Sequence, residues 1–133
     1  MKITREIESL ENSIKSLINF FEEIKNYKKI FDEDITSFEV LNENTFKIKI
    51  GSFPNISLTH KKTSNNSFSL KSNSDNFDFE IHINLSEINM SSTKCQIIFN
   101  GNFSTMIEMM AKKPLENFLT NISKKIEGLE LSN

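Results

Sequence analysis

The chain has 133 residues, 37% of them hydrophobic and 26% charged, and a formal net charge of −2. That apolar content, with only three Gly and two Pro, excludes a disordered, fibrous or low-complexity chain and predicts a single domain, 1–133, around one substantial core. The near balance of sixteen basic and eighteen acidic side chains gives no electrostatic reason to expect nucleic acid or an anionic membrane as partner.

The first element is a strand at 2–10, where Ile3, Arg5, Ile7 and Ser9 alternate with Lys2, Thr4, Glu6 and Glu8. Ser13 is placed to cap a helix. From Ile14 the apolar residues Leu17, Ile18, Phe21, Ile24 and Tyr27 recur at three- and four-residue spacing, which predicts one broken helix or two short ones ending near Ile30 and Phe31. The period then becomes two. A strand at 34–42 is followed by Phe46, Ile48 and Ile50 alternating with Thr45, Lys47 and Lys49. Ile56, Leu58 and His60 share a face of the next strand. Phe68 and Leu70 mark a short strand inside the turn-prone run at 63–76. Phe77, Phe79, Ile81, Ile83 and Leu85 then alternate with Asp78, Glu80, His82 and Asn84. Cys95, Ile97, Phe99, Gly101 and Phe103 share the inward face of the last strand.

Short turns between these six strands predict an antiparallel meander. After Ser104 the helical period returns over about 24 residues. Ile107, Met110, Ala111, Leu115, Phe118, Leu119, Ile122, Ile126 and Leu129 fall on one face. Pro114 inside this segment removes a backbone donor to Met110, which predicts a kink, and Gly128 marks the end.

Twelve Phe against one Tyr and no Trp supply apolar area without a polar handle, as a core or an apolar cavity requires. Cys95 is the sole cysteine, so neither an internal disulfide nor a cysteine metal cluster is available. The opening MKITREIESLENS has no apolar leader core, and no run approaches the ~18 apolar residues of a membrane span. A reducing, cytoplasmic location is the expectation.

The order strand, helix pair, six strands, long helix resembles the START-like (SRPBCC) superfamily, typified by the birch pollen allergen. The segment NFSTMIEMMAKKPLENFLTNISKKI at 102–126 carries the resemblance most specifically. It is similar to the C-terminal helix of small uncharacterised bacterial members, where a strand runs into a Met-rich helix with Lys-Lys-Pro-Leu at its centre. The Phe77-x-Phe79 strand and the stretch 51–58 resemble the same proteins. The resemblance spans essentially the whole chain. It implies an α+β helix-grip fold: a seven-stranded curved antiparallel sheet, two short helices and a long kinked C-terminal helix. It also implies a cavity between sheet and helix, a feature that serves lipids, sterols, polyketides and plant hormones across the superfamily. Some members are cyclases or hydrolases and others bind proteins, so fold alone does not select a function. A short chain without Trp is expected to have a small or partly filled cavity.

The candidate wall is therefore Phe46, Ile48, Ile56, Leu58 and His60 from the early strands, and Phe79, Ile81, Ile97 and Phe99 from the late ones. The helix adds Met106, Met109, Met110 and Phe118. The alternative to the cavity that the resemblance implies is a solid core packed by the same side chains. His60 has inward parity and could orient a ligand carbonyl or act as a base. Its position beside Lys61 and Lys62 argues instead for an exposed strand end, the preferred reading. Glu80 and His82 need a third ligand to hold a metal and read as a solvated face. Cys95 has no placed base and reads as a buried hydrophobe. The run Asp32, Glu33, Asp34 matches no Ca²⁺ loop, and Lys112 and Lys113 read as solvated charges. No catalytic motif, metal or cofactor is implied. The expected function is non-catalytic binding of a small apolar or lipid-like molecule. The alternatives are a cyclase- or hydrolase-like enzyme using His60, or a protein-interaction module with a filled core.

Overall fold

The structure, a computed structural model, describes residues 1–131. Its strands are β1 (Lys2–Leu10), β2 (Ile35–Val40), β3 (Thr45–Ile50), β4 (Ile56–Ser64), β5 (Ser67–Ser72), β6 (Asp78–Asn89) and β7 (Ser92–Asn102). They form one seven-stranded curved antiparallel sheet in the order β1-β7-β6-β5-β4-β3-β2. Six strands follow the predicted meander, and β1 returns to pair with β7, setting Ile3 opposite Phe99 and Ile7 opposite Cys95. Register keeps the inward parities together across the sheet: Phe46 faces Leu58, and Ile81 faces Phe99. A slip of one residue would turn every one of these side chains to water, so burial itself fixes the pairing.

The hairpin of β6 and β7 runs further than its apolar alternation predicts. Residues 86–91 are exposed on both faces. A period-two signal needs one buried face, and that stretch has none.

Between β1 and β2 the chain makes α1 (Ile14–Glu22), a 3₁₀ turn (Ile24–Asn26) and α2 (Tyr27–Phe31), the helix pair anticipated from spacing. Ser13 caps α1, its Oγ accepting the Ser16 N–H at 3.2 Å. Side chains add to the few backbone partners of the last carbonyls of α1, of which that of Phe20 also accepts the Glu23 N–H at 3.3 Å. That of Phe20 accepts from Asn26 Nδ2 at 2.9 Å, and that of Phe21 from the Tyr27 hydroxyl at 2.8 Å. Tyr27 is fully buried and stacks on Phe46 with ring centroids 5.8 Å apart. Phe21, Phe31 and Phe68 complete an aromatic floor around it.

The long helix α3 (Thr105–Glu127) starts at Ser104, whose Oγ accepts the Ile107 N–H at 3.3 Å, and runs back across the sheet. Ala111, Leu115, Phe118, Leu119, Ile122 and Ile126 are its buried stripe. Pro114 lies within the helix and is exposed, as is Met110, so the carbonyl that lacks its usual partner is on the watered side. One expectation is corrected. Met106, Met109 and Met110 do not pack on the sheet; they are 72%, 78% and 71% exposed. At about 100° per residue, Met106 and Met109 point roughly 130–170° away from the centre of the buried stripe. Ile107 and Ala111 take the inward positions instead.

Polar contacts seat the far end of α3. Lys125 pairs with Asp32 at 3.1 Å and Glu33 at 3.7 Å, and Asn121 Nδ2 donates to Asp34 at 3.2 Å. The acidic run singled out in the sequence thus ties the α2–β2 turn to the helix. Buried Asn12 donates to the Leu129 carbonyl and accepts from the Leu131 N–H, at 2.9 and 3.0 Å. No helix is long and apolar enough to cross a membrane among the described residues.

Candidate functional site

Nine of the thirteen candidate wall residues are core. Phe46, Ile48, Leu58, Ile97 and Phe99 have no exposed surface, and Ile56, Phe79, Ile81 and Phe118 have at most 2%. Ring contacts run through this interior, with Phe31 and Phe118 centroids 5.5 Å apart and Phe79 and Phe99 5.1 Å apart. Phe31 and Phe118 fill the space beside α2, and Phe79 and Phe99 fill it behind Phe77.

The interior opens in front of Phe77. A cleft of about 340 Å³ lies between the loop 51–55, the loop 73–77 and the first turns of α3. Phe53, Pro54, Ile56 and Phe77 line it from the sheet side, and Ile107, Met110 and Ala111 from the helix. Asn55, Ser74 and Asn76 supply the polar rim, and no side chain among the lining residues is titratable. Of the predicted wall, only Ile56 and Met110 line this cleft.

Local sequence shapes both loops. Gly51 adopts φ +49, a left-handed turn that costs glycine little, as β3 reverses. Lys49 then reaches back, donating to the carbonyls of Gly51 and Phe53 at 3.3 and 2.9 Å. On the facing loop, Ser72 Oγ donates to the Phe77 carbonyl and accepts the Phe79 N–H, both at 2.9 Å. The Ser74 hydroxyl accepts the Phe77 N–H at 3.3 Å. The rings of Phe53 and Phe103 flank Phe77 at 5.1 and 4.8 Å. Phe103 folds back over Gly101 so closely that a Cβ there would stand 2.5 Å from its ring, so any larger residue would push Phe103 off Phe77. The side chains of Asn55 and Asn76 make no hydrogen bond among the described residues, which leaves their amide donors and acceptors facing the opening.

Sequence reasoning missed the loop half of this site. The signal was present in a half-buried Phe53 within a polar turn, GSFPN, where an aromatic has no strand or helix to bury it.

His60 stands elsewhere, on β4 against the aromatic floor. It is half-buried rather than solvated at a rim, 5.4 Å from the Tyr27 ring, with Nε2 2.9 Å from the Phe21 carbonyl. The contact requires the Nε2–H form, so the imidazole helps to close the end of α1. Burial pushes its pKa down, opposed by that hydrogen bond and by Glu22. Unfolded, a histidine titrates near about 6.5; the folded chain protonates later, so acid favours the unfolded state. The stability contributed is complete above about pH 6.5 and is lost as pH falls toward the lowered folded value. His60→Gln keeps a donor to Phe21 and is expected to abolish this part of the acid loss. Urea midpoints of both proteins on either side of that window check it, and parallel losses would assign the proton to another group.

The remaining candidates have structural partners. His82 Nε2 lies 2.8 Å from Glu80, which also receives Lys71 at 3.5 Å on the outer sheet face. Cys95 is fully buried, and burial pushes its thiol up to about 12. No cluster of three or more His, Cys, Asp or Glu groups able to hold a metal occurs among the described residues.

No family model and no curated protein sequence matches this chain. Solved structures do. A START superfamily protein from Mycobacterium smegmatis superposes with a TM-score of 0.78 at 14% identity, over 96% of this chain and 94% of that one. Norcoclaurine synthase from Thalictrum flavum, in complex with dopamine and hydroxybenzaldehyde, gives 0.74 at 10% identity, over 96% and 84%. An uncharacterised protein from Bacillus thuringiensis gives 0.73 at 7%, over 96% of each chain. The fold is therefore START-like, the helix-grip architecture that the sequence resembled.

Proposed function

We propose that this START-like domain binds a small apolar or lipid-like molecule without transforming it, in the cleft between the 51–55 and 73–77 loops and the start of α3. The observation that carries the reading is the cleft itself: about 340 Å³, walled by seven apolar side chains, with polar groups confined to its rim. That volume lies at the lower end of the ~300–1,000 Å³ typical of ligand pockets. The rim amides would orient a polar head, and Met110, flexible and exposed, would adjust to the apolar body. Affinity would come mainly from burial, about 0.8 kcal/mol per methylene before association costs.

The fold likeness to a synthase raises catalysis as a second reading, and fold likeness transfers no mechanism. It has less support here, because His60 is engaged with the Phe21 carbonyl and the cleft wall carries no acid or base. The filled interior would suit an interaction module, but a wholly filled grip leaves the open cleft unexplained.

Titration with the uncharged apolar fluorophore N-phenyl-1-naphthylamine tests the proposal. The wild type is expected to bind and enhance emission, and Met110→Lys and Phe53→Ser to weaken binding about tenfold, the first by placing a charge in the apolar wall and the second by removing contact worth a methylene pair or more. Equal binding by all three proteins would place the probe elsewhere and defeat the assignment.

A further inference from the structure

Packing explains none of the exposed methionines of α3, and the cleft explains only Met110. Met106, Met109 and Met110 project outward from two successive turns, and Lys112 and Lys113 lie directly beyond them. Beside Met109 lies a groove of about 400 Å³ that Arg5, Lys112, Lys113 and Thr120 help to line. Arg5 has inward parity on β1 and is half-buried, yet only neutral oxygens hold it: Thr120 Oγ1 at 3.2 Å and the carbonyls of Thr4 and Glu116 at 3.0 and 3.3 Å. Arg5, Lys112 and Lys113 take part in no ion pair among the described residues. Three cations against Glu108 and Glu116 leave this region positive on a chain of net charge −2.

We propose that the first turns of α3, together with Arg5, are a docking surface for an anionic lipid bilayer. Net charge averages over the whole surface, whereas a membrane meets only the patch that faces it. Apolar methionines beside lysines are the composition that lies in the headgroup region, with the apolar part in the acyl boundary and the cations on lipid phosphates and carboxylates. Charge separates this patch from the other exposed apolar residues. Val40 and Leu41 sit between Glu39 and Glu43, and Ile88 and Met90 follow Glu87 with no cation between Glu87 and Met90, so anionic headgroups would be drawn to neither hairpin tip. Met110 belongs to both features, which puts the mouth of the cleft at the bilayer boundary.

Co-sedimentation of the full chain with vesicles tests this. Binding to vesicles of phosphatidylcholine with phosphatidylserine is expected to be at least about tenfold tighter than to phosphatidylcholine alone, and to weaken as salt is raised. The double variant K112E/K113E is expected to lose about tenfold or more, and M106S/M109S about fivefold or more. All four residues are exposed, and an unchanged circular dichroism spectrum verifies the fold; Lys113→Glu and Met109→Ser alone serve if a double variant fails that check. Inorganic phosphate at the same phosphate concentration is expected not to release the protein. A chain that stays in the supernatant with anionic vesicles at low salt, sediments equally in wild-type and variant forms, or is displaced by phosphate overturns the proposal. The cleft reading is tested apart from this, by the fluorophore titration, in which no vesicle is present.

Discussion

Phe118→Ala is expected to lower the free energy of unfolding by about 3–5 kcal/mol, a large share of the roughly 5–15 kcal/mol available to a domain of this kind. The ring is 1% exposed and meets Phe31 of α2 at 5.5 Å, so it joins the long helix to the short one above the sheet. Removing it leaves a void that neighbours on three elements cannot fill without leaving their own rotamers. Met109→Ala is the matched control. Met109 is 78% exposed on the same helix, and its loss is expected to change stability by no more than about 0.5 kcal/mol. Denaturant midpoints at constant slope measure both. Comparable losses would mean that α3 is rotated from the orientation described.

Tyr27→Ala is expected to cost a similar amount, about 3–5 kcal/mol, for a partly different reason. The ring stacks on Phe46 and meets Phe21, Phe31 and His60, and its hydroxyl donates to the Phe21 carbonyl at 2.8 Å. Tyr27→Phe keeps the rings and removes only the donor, so about 1–2 kcal/mol should be lost. Because His60 shares that carbonyl, the loss should be larger in a His60→Ala background than in the wild type. Strict additivity of the two substitutions would show that the shared acceptor does not couple them.

The strands and the buried stripe of α3 were legible because each presents one face to the core and one to water. Alternation of Phe46, Ile48 and Ile50, or of Phe79, Ile81 and Ile83, reports that contrast directly. The methionines are misread when apolar character alone is taken as inward, although Ile107, Ala111 and Leu115 already occupy the inward positions one turn apart. The cleft was only half legible. Its helix and β4 contributions, Met110 and Ile56, carry periodic signals, whereas Phe53, Pro54 and Phe77 come together from loops about twenty residues apart through serine and lysine contacts that no period encodes. His60 was legible in parity but not in partner, since the Phe21 carbonyl it meets belongs to a helix end set by where α1 stops.

Methyl-resolved NMR during titration with dodecanoic acid would locate bound apolar matter most directly. Saturable shifts are expected at the methyls of Ile56, Ile107, Met110 and Ala111, which line the opening, with Ile48, Ile81 and Ile97 of the packed interior unmoved. Shifts confined to the interior methyls, or none at the opening up to the solubility limit of the acid, would contradict a ligand site at the mouth of the grip.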